Sequence, residues 1–273
     1  MKEFLNENEN KNKPSNINNQ NIKQININIE DSYFLYNGNA MEILDYLIEN
    51  NVKVDMIFTD PPYKLTSRGG GGNSGGMFQT KEVNNGKVFS HNDLDIEDWL
   101  PKFYEVLKDD THCYIMTNNK NITHYLSVID KSNFQYIKCL VWVKDNKIMG
   151  QTYMSQFEYI IMLRKGKYKR INHCGTSDVL RISNKKTKDK NKKPIHLTEK
   201  PIELTNILVS NSSNENDVVL DPFMGIGGCG VSCKLLNRKF IGIEIDKKYF
   251  NYSKERIINT VKENEKNNNK INK

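Results

Sequence analysis

The chain has 273 residues, with 40 Lys and Arg against 33 Asp and Glu, for a formal net charge of +7. That length accommodates one α/β domain with a buried core plus tails and an insertion, and the basic balance suits a polyanionic partner. No apolar run approaches membrane-spanning length, the N-terminus lacks the apolar stretch of a signal peptide, and Cys113, Cys139, Cys174, Cys229 and Cys233 form no Cys-x-x-Cys pair; these features argue against a membrane span, a metal site and a disulfide framework, and for a soluble cytoplasmic protein.

Residues 1–30 are dominated by Asn, Lys, Glu and Ile, with no aromatic cluster after Phe4. Such a segment buries too little apolar surface to offset its ordering entropy, so a flexible tail is predicted. The same bias marks 262–273, and the ordered domain is predicted over 31–261. Within it, Ser32–Tyr36 reads as a strand, Asn39 as the cap of a helix Met41–Glu49, and Val54–Thr59 as a buried strand running into Asp60-Pro61-Pro62-Tyr63. A glycine run follows at Gly69–Gly72 and Gly75–Gly76, too permissive for a regular element. Asp98–Leu107 and Ile122–Ile129 read as helices, and Cys113–Thr117, Tyr136–Val143 and Phe157–Leu163 as strands. Residues 165–195 carry much charge and little periodicity. Pro201–Asn211 reads as a helix and Val218–Leu220 as a strand, followed by a glycine turn, a helix through Leu236, a strand Phe240–Ile245 and a last helix Lys247–Val261. Alternating strands and helices predict a doubly wound, mostly parallel sheet with helices on both faces.

Two motifs carry chemistry. Val218–Gly230 reads VVLDPFMGIGGCG, a strand opening through glycines into a helix. Such a turn lets backbone approach a ligand closely and aims helix N–H groups at it. Nineteen residues beyond Gly225, at the end of the next strand, Glu244 can accept hydrogen bonds from ribose hydroxyls. These features point to a nucleoside-containing cofactor without separating a nicotinamide dinucleotide from S-adenosylmethionine. Three others favour the second: the glycines follow Asp221-Pro222-Phe223, the motif lies near the C-terminus, and Asp60-Pro61-Pro62-Tyr63 has no use in a dehydrogenase.

That tetrapeptide suits methylation of an exocyclic amine. The amine lone pair of adenine or cytosine is delocalised into the ring, and a carboxylate or carbonyl accepting its N–H bonds frees it. Two prolines fix the backbone and carry no N–H to spend elsewhere, while Tyr63 offers a face on which an extruded base can stack. With a sulfonium donor, alignment and electrostatics suffice and no covalent enzyme intermediate is required. The alternative reading is a rigid turn after a strand.

The set TDPPY (59–63), HLTEKP (196–201), DPFMGIGG (221–228) and FIGIEIDKKYF (240–250) resembles the amino-methyltransferase family of DNA modification enzymes, in the permuted order that places the catalytic motif first. The resemblance covers about residues 32–260. It implies a seven-stranded Rossmann-like sheet, S-adenosylmethionine as cofactor, double-stranded DNA as partner and base flipping. Carried over, Asp60, Pro61, Pro62 and Tyr63 form the amine-activating and base-stacking group. Asp221, Phe223, Gly225 and Gly227 wall the cofactor pocket, Glu244 holds the ribose, and His196 and Lys200 reach the cofactor's amino-acid end. Asn39 falls where the family usually has an acid near the cofactor's adenine; it reads equally well as a helix cap. Ile226-Gly227-Gly228-Cys229 departs from the family's Ser-Gly-Thr-Thr, and Leu197 from its Pro, removing hydroxyls that could bind the cofactor carboxylate.

Asp at the first position of the tetrapeptide favours adenine N6; cytosine N4 is the alternative within the class. RNA or protein methylation, a nucleotide-dependent oxidoreductase and a non-catalytic DNA-binding module are more distant. No Pro-Cys dipeptide or GxxxxGK[ST] motif is present. Lys185, Lys186, Lys188, Lys190, Lys192 and Lys193 crowd one stretch, readable as a solvated loop or as phosphate contacts. Lys144, Arg164, Lys165, Lys167, Lys169 and Arg170 extend the basic character, and 165–195 lies where the family carries its target-recognition segment. The glycine run with Arg68 reads as a loop that closes over a flipped base or as a disordered surface loop, and the two readings are compatible in different states. A homodimer and a cognate restriction endonuclease are left open as partners.

Overall fold

A computed structural model describes residues 26–29, 32–62, 94–148, 153–188, 192 and 199–260. In chain order the elements are β1 (Asn26–Ile29), β2 (Tyr33–Asn37), α1 (Ala40–Glu49), β3 (Val54–Thr59), α2 (Ile96–Val106), β4 (Leu107–Thr117), α3 (Ile122–Asp130), β5 (Gln135–Ile148), β6 (Ser155–Lys165), β7 (Val179–Arg181), α4 (Ile202–Ser212), β8 (Val218–Asp221), α5 (Gly228–Leu235), β9 (Lys239–Glu244) and α6 (Lys247–Ile258).

The strands form one sheet in the order β1-β2-β9-β8-β3-β4-β6-β5-β7. From β2 to β4 every neighbouring pair is parallel, whereas β6 runs antiparallel to both β4 and β5. The central strands are apolar on both faces, as a sheet covered on both sides requires. Along β3, Val54 and Ile57 face one core while Met56 and Phe58 face the other. Leu44 of α1, Trp99 and Phe103 of α2 and Ile129 of α3 fill the first core; Leu204 and Leu208 of α4, Cys233 of α5 and Phe250 of α6 fill the second. The doubly wound architecture is therefore the one expected.

Three features differ from the sequence reading. Among the described residues the sheet has nine strands, because two short edge strands flank the expected seven. β1 lies inside the segment expected to be a tail: Asn26–Ile29 pairs antiparallel with β2, and alternating Asn and Ile suffices for an edge that gains backbone hydrogen bonds. β7 lies inside the segment expected to be a loose insertion, pairing parallel with β5 and burying Leu180. The segment is also pinned to the body by Asn172, whose backbone N–H donates to the Asn211 carbonyl at 2.8 Å and whose side chain donates to the Ser210 and Ser213 carbonyls. Finally, α2 starts at Ile96 because Asp95 and Asp98 form a reciprocal capping box. The predicted tail at 262–273 lies outside the described residues.

The close approach of α5 to its neighbours depends on Gly230. A Cβ there would lie 2.4 Å from Ile257 Cδ1 and 2.8 Å from Phe240 Cε1. Gly230→Ala is expected to destabilise the fold by about 1–3 kcal/mol through overpacking, read from urea unfolding.

Candidate active site

β3 leads into α2 on one face of the sheet, and its neighbour β8 leads into α5 on the other. Adjacent parallel strands whose connections diverge open a crevice at their C-terminal ends, where open α/β sheets bind ligands. Asp60 follows β3 and Asp221 ends β8, so both acids sit at that crevice. Thr59 Oγ1 donates to Asp221 Oδ1 at 3.2 Å across the seam, and the Phe223 N–H donates to the same oxygen at 3.2 Å. Burial pushes the Asp221 carboxyl up to about 8, with the nearby charges of Asp60 and Glu244 adding to the effect.

After Asp221 the chain turns through Gly225 (φ 52°) and Gly227 (φ 75°). These are left-handed conformations that favour glycine. Gly227 caps α5, and a Cβ on it would lie 2.8 Å from Ser253 Cβ. The Gly225 N–H donates to Glu244 Oε2 at 2.9 Å, and the Asp246 N–H donates to Glu244 Oε1 at 2.8 Å. Glu244 is thus fixed at the end of β9, and each of its oxygens keeps a second lone pair. Burial raises its carboxyl to about 7. The Asn37 amide donates to the Glu244 carbonyl at 2.8 Å and to the Ile245 carbonyl at 3.1 Å, tying β2 to the same corner. Asn39 caps α1, its Oδ1 accepting from the Met41 N–H at 2.8 Å.

On the other side of the seam, the Lys200 ammonium pairs with Asp60 and lies 3.5 Å from Glu158 Oε2. Lys144 pairs with the other Glu158 oxygen. All four side chains are at most 20% exposed, so the pairs sit in a medium where charges interact strongly. Burial raises the Asp60 carboxyl above the usual range; Lys200 opposes that rise and Glu158 adds to it. Glu158 is itself held below the usual range: burial acts upward, but Lys200 and Lys144 together outweigh it.

The sequence-identified residues therefore meet at one crevice: Asp60, Pro61 and Pro62 on one side, Asp221, Phe223, Gly225, Gly227 and Glu244 on the other, with Lys200 on Asp60. Tyr63, Arg68, His196, Lys190 and Lys193 lie outside the described residues. The lysine run divides. Lys185, Lys188 and Lys192 are exposed, whereas Lys186 is half-buried, its ammonium destabilised by burial and by Lys200 and Lys144. Lys165 turns inward, donating to the Tyr104 and Leu107 carbonyls at 2.8 and 2.9 Å, so it is a packing residue rather than part of a basic face.

Sequence reasoning missed Glu158 and Arg256, and placed Lys144 only in the general basic surface. Arg256 on α6 pairs with buried Glu199 at 2.8 Å and donates to the Ile226 carbonyl of the glycine turn at 3.2 Å. Glu199 also accepts from the Thr187 N–H at 2.6 Å, joining the lysine-rich segment to the site. A single ionisable residue within an apolar strand or a helix face gives no periodic signal; only tertiary placement reveals its partner. Asp95, Glu97 and His124 come within metal-ligating reach of one another, but Asp95 is committed to the α2 cap and to a 2.8 Å contact with His124.

A crevice flanked by two strand-end acids, with a glycine turn facing a fixed carboxylate, defines an α/β enzyme that handles a nucleoside-bearing, cationic ligand. The family model described as DNA methylase, of the N6/N4 type, matches residues 54–255. The chain belongs to this family of N6/N4 DNA methyltransferases. Among its relatives, the type II methyltransferase M.HpaI of Haemophilus parainfluenzae is 32% identical over 81% of this chain and 72% of its own length. M2.MboI of Moraxella bovis is 29% identical over 83% and 88%, respectively. The crystal structure of the M1.HpyAVI–SAM complex superposes with a TM-score of 0.63 at 28% identity, covering 82% of this chain and 99% of that one. PvuII DNA methyltransferase, described as cytosine-N4-specific, shares the fold at 16% identity and a TM-score of 0.63, over 86% of this chain and 89% of its own. No helix among the described residues is long and apolar enough to cross a membrane.

The raised acids set a sign for pH dependence. Asp221 and Glu244 bind protons in the fold at pH values where the unfolded chain has released them, so their contribution to stability is fully present below about pH 4 and is lost as pH rises through about 7 to 8. Asp221→Asn is expected to flatten this decline and to stabilise the cofactor-free protein at pH 8 relative to the parent. Urea midpoints measured from pH 5 to 8 test it; parallel curves for the two proteins would exclude the assignment.

Proposed function

We propose that this chain is a site-specific, adenine-N6 DNA methyltransferase acting on a base extruded from double-stranded DNA. The observation that carries this reading is the meeting of Asp60, on its double-proline turn, with Asp221, the glycine turn and Glu244 at one switch point. The methyl donor is S-adenosylmethionine, which when bound supplies an electrophilic methyl group on a sulfonium. The site suits it: burial raises the Asp221 carboxyl, with Asp60 and Glu244 adding to the rise, and a cationic ligand beside Asp221 and Glu244 favours their charged forms. Glu244, held by two backbone N–H groups, keeps acceptor capacity for ribose hydroxyls, and Phe223, half-buried beside the turn, walls the adenine side. Ile226 and Cys229 are buried and offer no hydroxyl, so backbone N–H groups at the start of α5 take the larger share in holding a carboxylate.

Asp60 accepts an N–H bond from the target amine, and Pro61 and Pro62 hold the backbone that aims it. As the nitrogen gains its methyl group, Asp60 is the nearest acceptor for the proton released, and its raised affinity for protons suits that task. Tyr63 is assigned to base stacking, and His196, with Lys200, to the junction between amine and cofactor. Asn39 serves α1 as a cap, and its assignment beside the cofactor's adenine rests on the resemblance alone. Lys185, Lys188, Lys192 and Lys193 are assigned to DNA phosphates, with Arg68 over the flipped base. Lys186 is half-buried, and its assignment to DNA phosphates rests on the sequence alone.

The test is nucleoside mass spectrometry of DNA from a methylation-deficient host producing the protein or Asp60→Ala. N6-methyladenine is expected with the parent and none with the variant. N4-methylcytosine would correct the base and keep the mechanism, and neither product from a folded parent that binds S-adenosylmethionine would refute the DNA reading.

A further inference from the structure

Asp60 is already engaged. Its Oδ2 accepts from the Lys200 ammonium, the same kind of N–H donor that a substrate amine would present. An amine that binds this oxygen shares it with Lys200 or displaces Lys200 from it, and even at Oδ1 it sits beside that ammonium. The structure supplies a second acceptor. Glu158 Oε2 lies 3.5 Å from Lys200 Nζ, beyond a normal charged hydrogen bond but within about 1 Å of one. The other Glu158 oxygen is held by Lys144. Lys144 is fixed in turn: its ammonium lies 5.0 Å from the centre of the Trp142 ring, and its carbonyl accepts from the Gln156 amide at 3.0 Å. Trp142 is anchored through its indole N–H to the Ile182 carbonyl at 2.9 Å. Glu158 is thus rigidly presented by the β5–β6 hairpin, where it pairs with Trp142 in register.

We infer that Glu158 is a positioning residue that takes over Lys200 when a target amine binds Asp60. This role rests on the methyltransferase reading above. Moving one ammonium between two neighbouring carboxylates changes no net charge in the crevice, and a lysine with three donors on a flexible stem makes the shift by small torsions. Without the Glu158 carboxylate, the acceptor nearest the Lys200–Asp60 pair is lost, and the Lys200 ammonium stays in competition with the incoming amine for Asp60.

The test uses the full-length protein and DNA bearing the site mapped from its own methylation pattern. Single-turnover transfer from methyl-labelled S-adenosylmethionine is compared for the parent, E158Q, E158D and the double variant E158Q/K200Q. Cofactor affinity and thermal midpoint are measured alongside, so that a folding defect is seen as such. E158Q is expected to slow transfer by roughly 10-fold or more while cofactor affinity stays within about 2-fold, the pattern of an interaction used at the chemical step. E158D is expected to recover part of the rate. The distinguishing result is the double variant: removing the competing ammonium should make it faster than E158Q alone, which a purely structural role for Glu158 does not predict. An E158Q rate within about 2-fold of the parent, or a double variant no faster than E158Q, overturns the role of Glu158. An inert parent instead overturns the methyltransferase reading on which it rests.

Discussion

Neighbouring parallel strands β3 and β8 end in acids, and a protein interior does not hold two such charges together without compensation. The arrangement around the seam answers that constraint in two ways. Asp60 is compensated by a lysine, with Glu158 and Lys144 extending the alternation of charge. Among the described residues Asp221 has no cationic partner; it accepts from Thr59 and from backbone, and burial pushes its carboxyl toward the neutral form. One side of the crevice therefore carries paired charges, and the other holds acids shifted toward their neutral forms. On the proposed function, this asymmetry separates a side for the amine from a side for a cationic donor.

The rest of the fold serves to hold these acids in place. The switch in winding opens the crevice, left-handed glycines let the turn after β8 fold back, and Glu244 clamps that turn through the Gly225 N–H. Arg256 reaches from α6 to both the turn and Glu199, next in sequence to Lys200. The lysine that meets Asp60 and the glycines that face Glu244 thus share one buried anchor, coupling the two halves of the site. Breaking a buried pair such as Arg256–Glu199 strands a charge, so its effect on the fold is expected to be large compared with that of a surface pair.

Much of this was legible in the sequence. Apolar strands, the Asp60-Pro61-Pro62 turn and the glycine turn are local signals, and β3 occupies the residues read from its pattern, Val54–Thr59. The acid at 244 was found because its spacing from Gly225 reflects one strand-to-strand step of a parallel sheet. What stayed hidden was non-local. The edge strands β1 and β7 owe their existence to free backbone groups on β2 and β5 rather than to side-chain pattern. Glu158 looks like an ordinary polar residue in a strand until β6 is placed beside β5 and near β3. Lys200 was read toward the cofactor's amino-acid end, and its ammonium lies on Asp60.

The division of the crevice into a donor side and an amine side is tested most directly by calorimetric titration of S-adenosylmethionine into the parent, Glu244→Ala and Asp60→Ala proteins without DNA. Loss of the Glu244 acceptor is expected to weaken binding by about 1–3 kcal/mol, while Asp60→Ala stays within a few-fold of the parent. Unchanged affinity in Glu244→Ala, or an equal loss in both variants, would contradict the division.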